Sequence, residues 1–170
     1  MNGATSLATP VHAEERRSSS APAGALTQGM SASLQGPQNA VHIGEPIPIT
    51  VEMRNSSQRN LQLKLGTRRR SYVFLVVDES SNAIVELRPT PKVVGSVVGG
   101  PSAGRALASG FSHYIDFNLA DFVDIQKPGK YRVTVTPSLF IVDQAGSITA
   151  DSTHALKLQP SNAIEITILP

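Results

Sequence analysis

Lys127-Pro128-Gly129-Lys130-Tyr131-Arg132-Val133-Thr134-Val135, joined later by Ser161-Asn162-Ala163-Ile164-Glu165-Ile166-Thr167-Ile168, is the part of the chain that decides the fold. Both runs alternate apolar and polar side chains. Successive side chains of an extended backbone point to opposite faces, so a period of two predicts strands with one face in a core and the other in water. Pro128-Gly129 supplies the turn that starts the first strand, and Tyr131 follows just inside it.

The same reading extends outward along the chain. Ile47, Ile49, Val51 and Met53 alternate with Pro48, Thr50, Glu52 and Arg54, a half-buried strand whose prolines confine its start to a sheet edge or a strand switch. Asn55-Ser56-Ser57 is a turn, formally also a glycosylation acceptor, and Leu61, Leu63 and Leu65 alternate again before Gly66. Tyr72-Val73-Phe74-Leu75-Val76-Val77 is a continuous apolar run, too short for a helix, which suits a central strand. Asp78 to Asn82 turns the chain back into Ala83 to Leu87. Arg88 to Gly110 holds three prolines and five glycines and predicts a long loop, or a short ribbon around Val93-Val94 and Val97-Val98. Phe111 to Leu119 resumes the alternation, Ala120 to Ile125 is a linking turn, and Phe140 to Val142 and Ala155 to Leu158 are short strands. Seven or eight short strands without an amphipathic helix predict an all-β antiparallel sandwich.

One hundred and seventy residues fit one domain. Residues 1–38 read as a disordered leader and tether, because Ser18 to Gln38 is rich in Ser, Ala, Gly, Pro and Gln and offers few large apolar side chains against the cost of ordering the backbone. Residues 39–170 are long enough to bury a core without metals or disulfides, and the chain has no cysteine. A net charge of +2, with only 16% charged residues mixed along the strands, argues against nucleic acid. No apolar run is long enough to span a membrane. Val11-His12-Ala13 before Glu14-Glu15 has the small-x-Ala shape of a signal-peptidase site, yet Met1 to Pro10 lacks a basic start and an apolar segment. Two readings stand: a signal-peptide remnant on a secreted or periplasmic protein, or an unstructured leader on a cytoplasmic one.

Gly44-Glu45-Pro46-Ile47 with Asn55-Ser56-Ser57, Pro128-Gly129-x-Tyr131, and the closing Ser161-Asn162-Ala163-Ile164 together resemble the Ig-like modules of bacterial exported proteins. The resemblance implies an Ig-like sandwich that binds, spaces or decorates. It also implies that Tyr131 is a tyrosine corner, its hydroxyl returning to the backbone a few residues upstream, with Pro128 and Gly129 shaping the turn. Ile49 to Leu87 is similar, more loosely, to the intracellular proteinase inhibitor of bacilli, which implies inhibition as an alternative function.

Chemical motifs are sparse. Gly100-Pro101-Ser102-Ala103-Gly104 matches the nucleophile-elbow pattern of a hydrolase, but that pattern needs a strand-to-helix turn in an α/β sheet, and no acid or histidine follows in triad order. Gly95 to Ser102 imitates a phosphate loop with Pro101 where the lysine belongs. His12, His42, His113 and His154 are at no ligand spacing, and Asp116, Asp121 and Asp124 fall short of the oxygens calcium needs. No cofactor, metal or catalytic residue is expected. Arg68-Arg69-Arg70 is a charge cluster that could grip an anionic partner, though beside Tyr72 to Val77 it reads better as a gatekeeper against aggregation. The expectation is a non-enzymatic binding or structural module of a cell-surface or envelope assembly, contacting a protein partner, or itself, through Arg68, Arg69, Arg70, Lys92 and Arg105 on loops.

Overall fold

The computed structural model describes residues 29–64, 71–89, 105–142 and 153–170. Those residues are mostly strand, with one 3₁₀ turn at Leu119–Asp121. The chain is all-β.

Two sheets share one core. In the smaller, β3 (Pro48–Asn55) lies between β1 (Met30–Gln35) and β8 (Ser112–Asn118), antiparallel to both. The larger is built on β9 (Gly129–Val142). The first half of β9 pairs with β11 (Ile164–Leu169) on one edge and β5 (Tyr72–Asp78) on the other. Its second half pairs with β10 (Thr153–Lys157) and β4 (Leu61–Lys64). Three short strands complete this sheet: β2 (Val41–His42), parallel to β11; β6 (Ala83–Ile84), on β5; and β7 (Arg105–Leu107), on β4.

Pro137 sits inside β9, where a central proline should break the ladder. Its carbonyl accepts from Leu158 N–H, so its missing donor falls on the edge where the ladder changes from β10 to β11 and is already irregular.

Alternation fills the core from both sides. Ile49, Val51, Met53 and Phe117 point inward from the small sheet, and Phe74, Val76, Val133, Val135, Ile166 and Ile168 from the large one. Tyr72, Phe74, Phe117 and Phe122 join the layers, with ring centroids 4.8 to 5.6 Å apart and inclined to one another. Inclined rings at that spacing bring edge hydrogens to ring faces and add to the area they bury.

Three expectations are corrected. The predicted tether of residues 1–38 includes β1, whose Met30, Ala32 and Leu34 are fully buried beside Asn55, Met53 and Val51. Burying Met30 and Leu34 is worth about 1.5–3 kcal/mol each, which overcomes the weak intrinsic order of a Ser- and Ala-rich segment. The boundary therefore lies before Met30 rather than at residue 39. Second, the described residues form eleven strands: β1, β2 and β7 lie in segments where the sequence predicts no strand, three of the eleven are only two or three residues long, and β9 joins the separately predicted runs 131–135 and 140–142. Third, the Arg88 to Gly110 segment ends in β7, where Leu107 stands opposite Leu61. The rest of that segment from residue 90 to 104, including the elbow motif and Lys92, lies outside the described residues, as do Arg68, Arg69 and Arg70.

A Cβ on Gly36, where the chain leaves β1 for the other sheet, would lie 2.7 Å from Ile164 Cδ1, the movable end of that side chain, so it would ask only for a shift of Ile164. Gly29 has φ +77° and a site for Cβ 2.7 Å from Ser57 Cβ, so neither conformation nor space admits a side chain.

Candidate functional site

Three places gather polar or exposed apolar groups. The first is the outer face of the large sheet. Tyr72, Phe74 and Val76 of β5 face the core, which turns Val73, Leu75 and Val77 outward. Val73 is 50% exposed, Leu75 45%, and Ile84, opposite Val77 on β6, 68%. Their neighbours on β9 are Thr136, Thr134 and Arg132. The result is an apolar strip along one side of the face and a polar, charged side across β9 and β11. Lys130 Nζ bonds Glu165 Oε1 there at 2.8 Å, and that bond raises the lysine pKa and lowers the glutamate pKa. A run of six apolar residues would suit burial on both faces, but β5 is covered on one only.

The second place is the outer face of the small sheet. Glu52 is 7% exposed although it points away from the core. Ser33 Oγ of β1 donates to its Oε2 at 3.1 Å, and Ser112 Oγ and Tyr114 Oη of β8 donate to its Oε1 at 2.6 and 3.1 Å. Strand register makes this possible, because Ser33, Glu52 and Tyr114 stand in one row across the three strands. Burial first, then the charge of Glu52, pushes the Tyr114 pKa up and keeps its hydroxyl a donor. In the next row Thr50 Oγ1 donates to Asp116 Oδ1 at 2.7 Å. This face satisfies its own polar groups.

The third place is the turn before β9. The Tyr131 hydroxyl donates to the Lys127 carbonyl at 2.8 Å across Pro128 and Gly129, the geometry of a tyrosine corner. Burial, with the Asp78 charge second, raises the Tyr131 pKa. Asp78 in turn accepts from Ser80 N–H, Ser80 Oγ and Ser81 Oγ, and the Ser80 side-chain bond leads in lowering its own pKa. These contacts stiffen one end of the molecule; they present no reacting group.

No family model matches this chain. No curated protein matches it either. Among solved structures, the X-ray structure of Northeast Structural Genomics Consortium target SoR45 superposes with a TM-score of 0.43 at 9% identity, covering 85% of this chain and 90% of that one.

The structure separates the remaining candidates. Arg105 is the exposed first residue of β7, and its charge, after burial, lowers the pKa of His113 on β8. His113 belongs to the inward row with Ile115 and Phe117, whereas Asp116 points outward, so the two form no common site. Asp124 instead binds Arg88 Nη2 at 2.8 Å, and Asp121 accepts from Asn118 Nδ2. Among the described residues no three His, Asp or Glu side chains gather to hold a metal. None of the described helices is long and apolar enough to cross a membrane. Asn55 is fully buried and its Nδ2 donates to the carbonyls of Arg59 and Leu107, so its role is to tie the turn to β7.

Proposed function

We propose that the chain is a non-enzymatic binding or structural module with an Ig-like sandwich fold, engaging a protein partner of a surface or envelope assembly through the outer face of its large sheet. The observation that carries this reading is the strip of Val73, Leu75 and Ile84, three large apolar side chains on one face of paired strands, edged by threonines and then by charge. A compact apolar centre with a polar rim is the usual anatomy of a protein contact. The strand order supports the fold. β1, β3 and β8 take the places of A, B and E, and β5, β9 and β11 those of C, F and G, with Tyr131 opening F.

The test compares the wild-type protein with a variant carrying Leu75→Glu and Ile84→Glu, both immobilised and offered an extract of native envelope. A partner retained by the wild type and lost by the variant, with an unchanged thermal midpoint, supports the reading. Equal retention by both would remove the strip from the contact.

A further inference from the structure

Sheet edges, unlike sheet faces, expose backbone hydrogen-bonding groups, and natural proteins usually blunt them. Most terminal strands here are blunted. β2 and β6 are two residues long and β7 three. β1 is longer, but its outer edge is taken. Asn162 Oδ1 accepts from Leu34 N–H at 2.7 Å while Asn162 Nδ2 donates to the Leu34 carbonyl at 3.0 Å, so one side-chain amide imitates a rung of a neighbouring strand. β8 differs. It is seven residues long, contains no proline, glycine or lysine, and among the described residues has a strand on one side only, β3.

The phase of its backbone is set by bonds at both ends of the β3 ladder. Asn55 N–H donates to the Phe111 carbonyl, and Leu119 N–H donates to the Ile47 carbonyl. The odd-numbered residues of β8 therefore bond inward to β3. Alternation along the strand turns the N–H and C=O groups of Ser112, Tyr114, Asp116 and Asn118 outward.

We infer that this edge pairs with β8 of a second copy, antiparallel about a two-fold axis at Ile115, to close a dimer with a continuous six-stranded sheet. The inference concerns the edge of the small sheet and does not rest on the apolar strip of the large one. In this register all seven residues pair: Tyr114 exchanges backbone bonds with Asp116 of the second copy, Ser112 with Asn118, and Ile115 stands against itself. Charge favours the arrangement. Asp116 is the strand's one acid, and it meets Tyr114; sliding the copies to bring Asp116 to the axis would oppose two carboxylates, which destabilises a cross-strand pair. Ile115, half-buried at the margin of the core, gains cover from its own copy. An isologous contact of this kind uses each β8 once and closes, so it yields dimers rather than fibres.

The chain has no cysteine, so single cysteines can map the contact. The unaltered full-length protein is weighed by analytical ultracentrifugation over a concentration series, and Tyr114→Cys, Ile115→Cys, Asp116→Cys and Leu75→Cys are each oxidised under mild conditions. A dimer mass is expected, with Ile115→Cys cross-linking at least about tenfold faster than the rest, because only facing residues in such a pair lie within disulfide reach. A protein that stays monomeric at every concentration overturns the inference. So does fastest cross-linking at Asp116→Cys or Leu75→Cys, or equal rates at all four positions. Loss of the Leu75 and Ile84 contact described above would leave the expected dimer unaffected, which keeps the two readings separable.

Discussion

The outward faces of the two sheets solve the same problem in opposite ways. Both sheets turn every second side chain away from the core. On the small sheet those side chains are Ser33, Glu52, Ser112 and Tyr114, which bond to one another across three strands until a carboxyl group is buried with both oxygens occupied. On the large sheet they include Val73, Leu75 and Ile84, which form no hydrogen bonds through their side chains and stand open to water. A closed polar row contributes to holding the fold. An open apolar row contributes little to the fold and is available for contact with something else.

That contrast can be broken most severely from inside. Leu34→Ala should destabilise the protein by about 2–5 kcal/mol, the cost of a cavity at a fully buried site, read from the denaturant midpoint at constant slope. A silent change would return β1 to the tether and remove one wall of the polar row. Next in size, Glu52→Ala should cost about 1–3 kcal/mol, because three hydroxyls placed to donate to one carboxyl group lose their acceptor together. If this change proves neutral in chemical denaturation, the polar row does not hold the three strands together.

The sequence was legible wherever alternation was carried by a single strand. Ile47 to Met53, Leu61 to Leu63 and Val133 to Val135 could be assigned to their faces because each period-two pattern is complete locally. Tyr131 was legible because Pro128-Gly129 announces its turn. β1 was not, since Met30, Ala32 and Leu34 alternate with serines in a segment whose composition suggests disorder, and their value comes only from Val51 and Met53 on the facing strand. The exposure of Val73 and Leu75 was hidden by the opposite fault: an unbroken apolar run carries no phase. The phase was present on β9, where Arg132, Thr134 and Thr136 mark the face they share with β5, but using it requires the pairing of strands far apart in sequence. The row around Glu52 joins residues 19 and 60 or more positions apart, and nothing local points from one to another.

Tyr131→Phe removes a hydroxyl bond that serves neither outer face. A loss of about 1 kcal/mol in thermal or chemical unfolding is expected, with both faces unchanged in behaviour. Loss of partner binding in this variant would mean that the corner, rather than the strip, shapes the contact.

The smallest effect on stability is the most telling. Leu75→Thr combined with Ile84→Thr places β-branched side chains of high strand propensity at both positions and removes exposed apolar surface. Because water already reaches these side chains, their loss should move the unfolding free energy by no more than about 0.5 kcal/mol. Partner affinity should fall at the same time. Stability and binding are then uncoupled on the large sheet, as they cannot be around Glu52, where the groups that face outward are also the groups that hold the strands together. A double variant that unfolds more easily by several kcal/mol would show instead that the strip is covered within the folded chain, and the two faces would differ in composition but not in role.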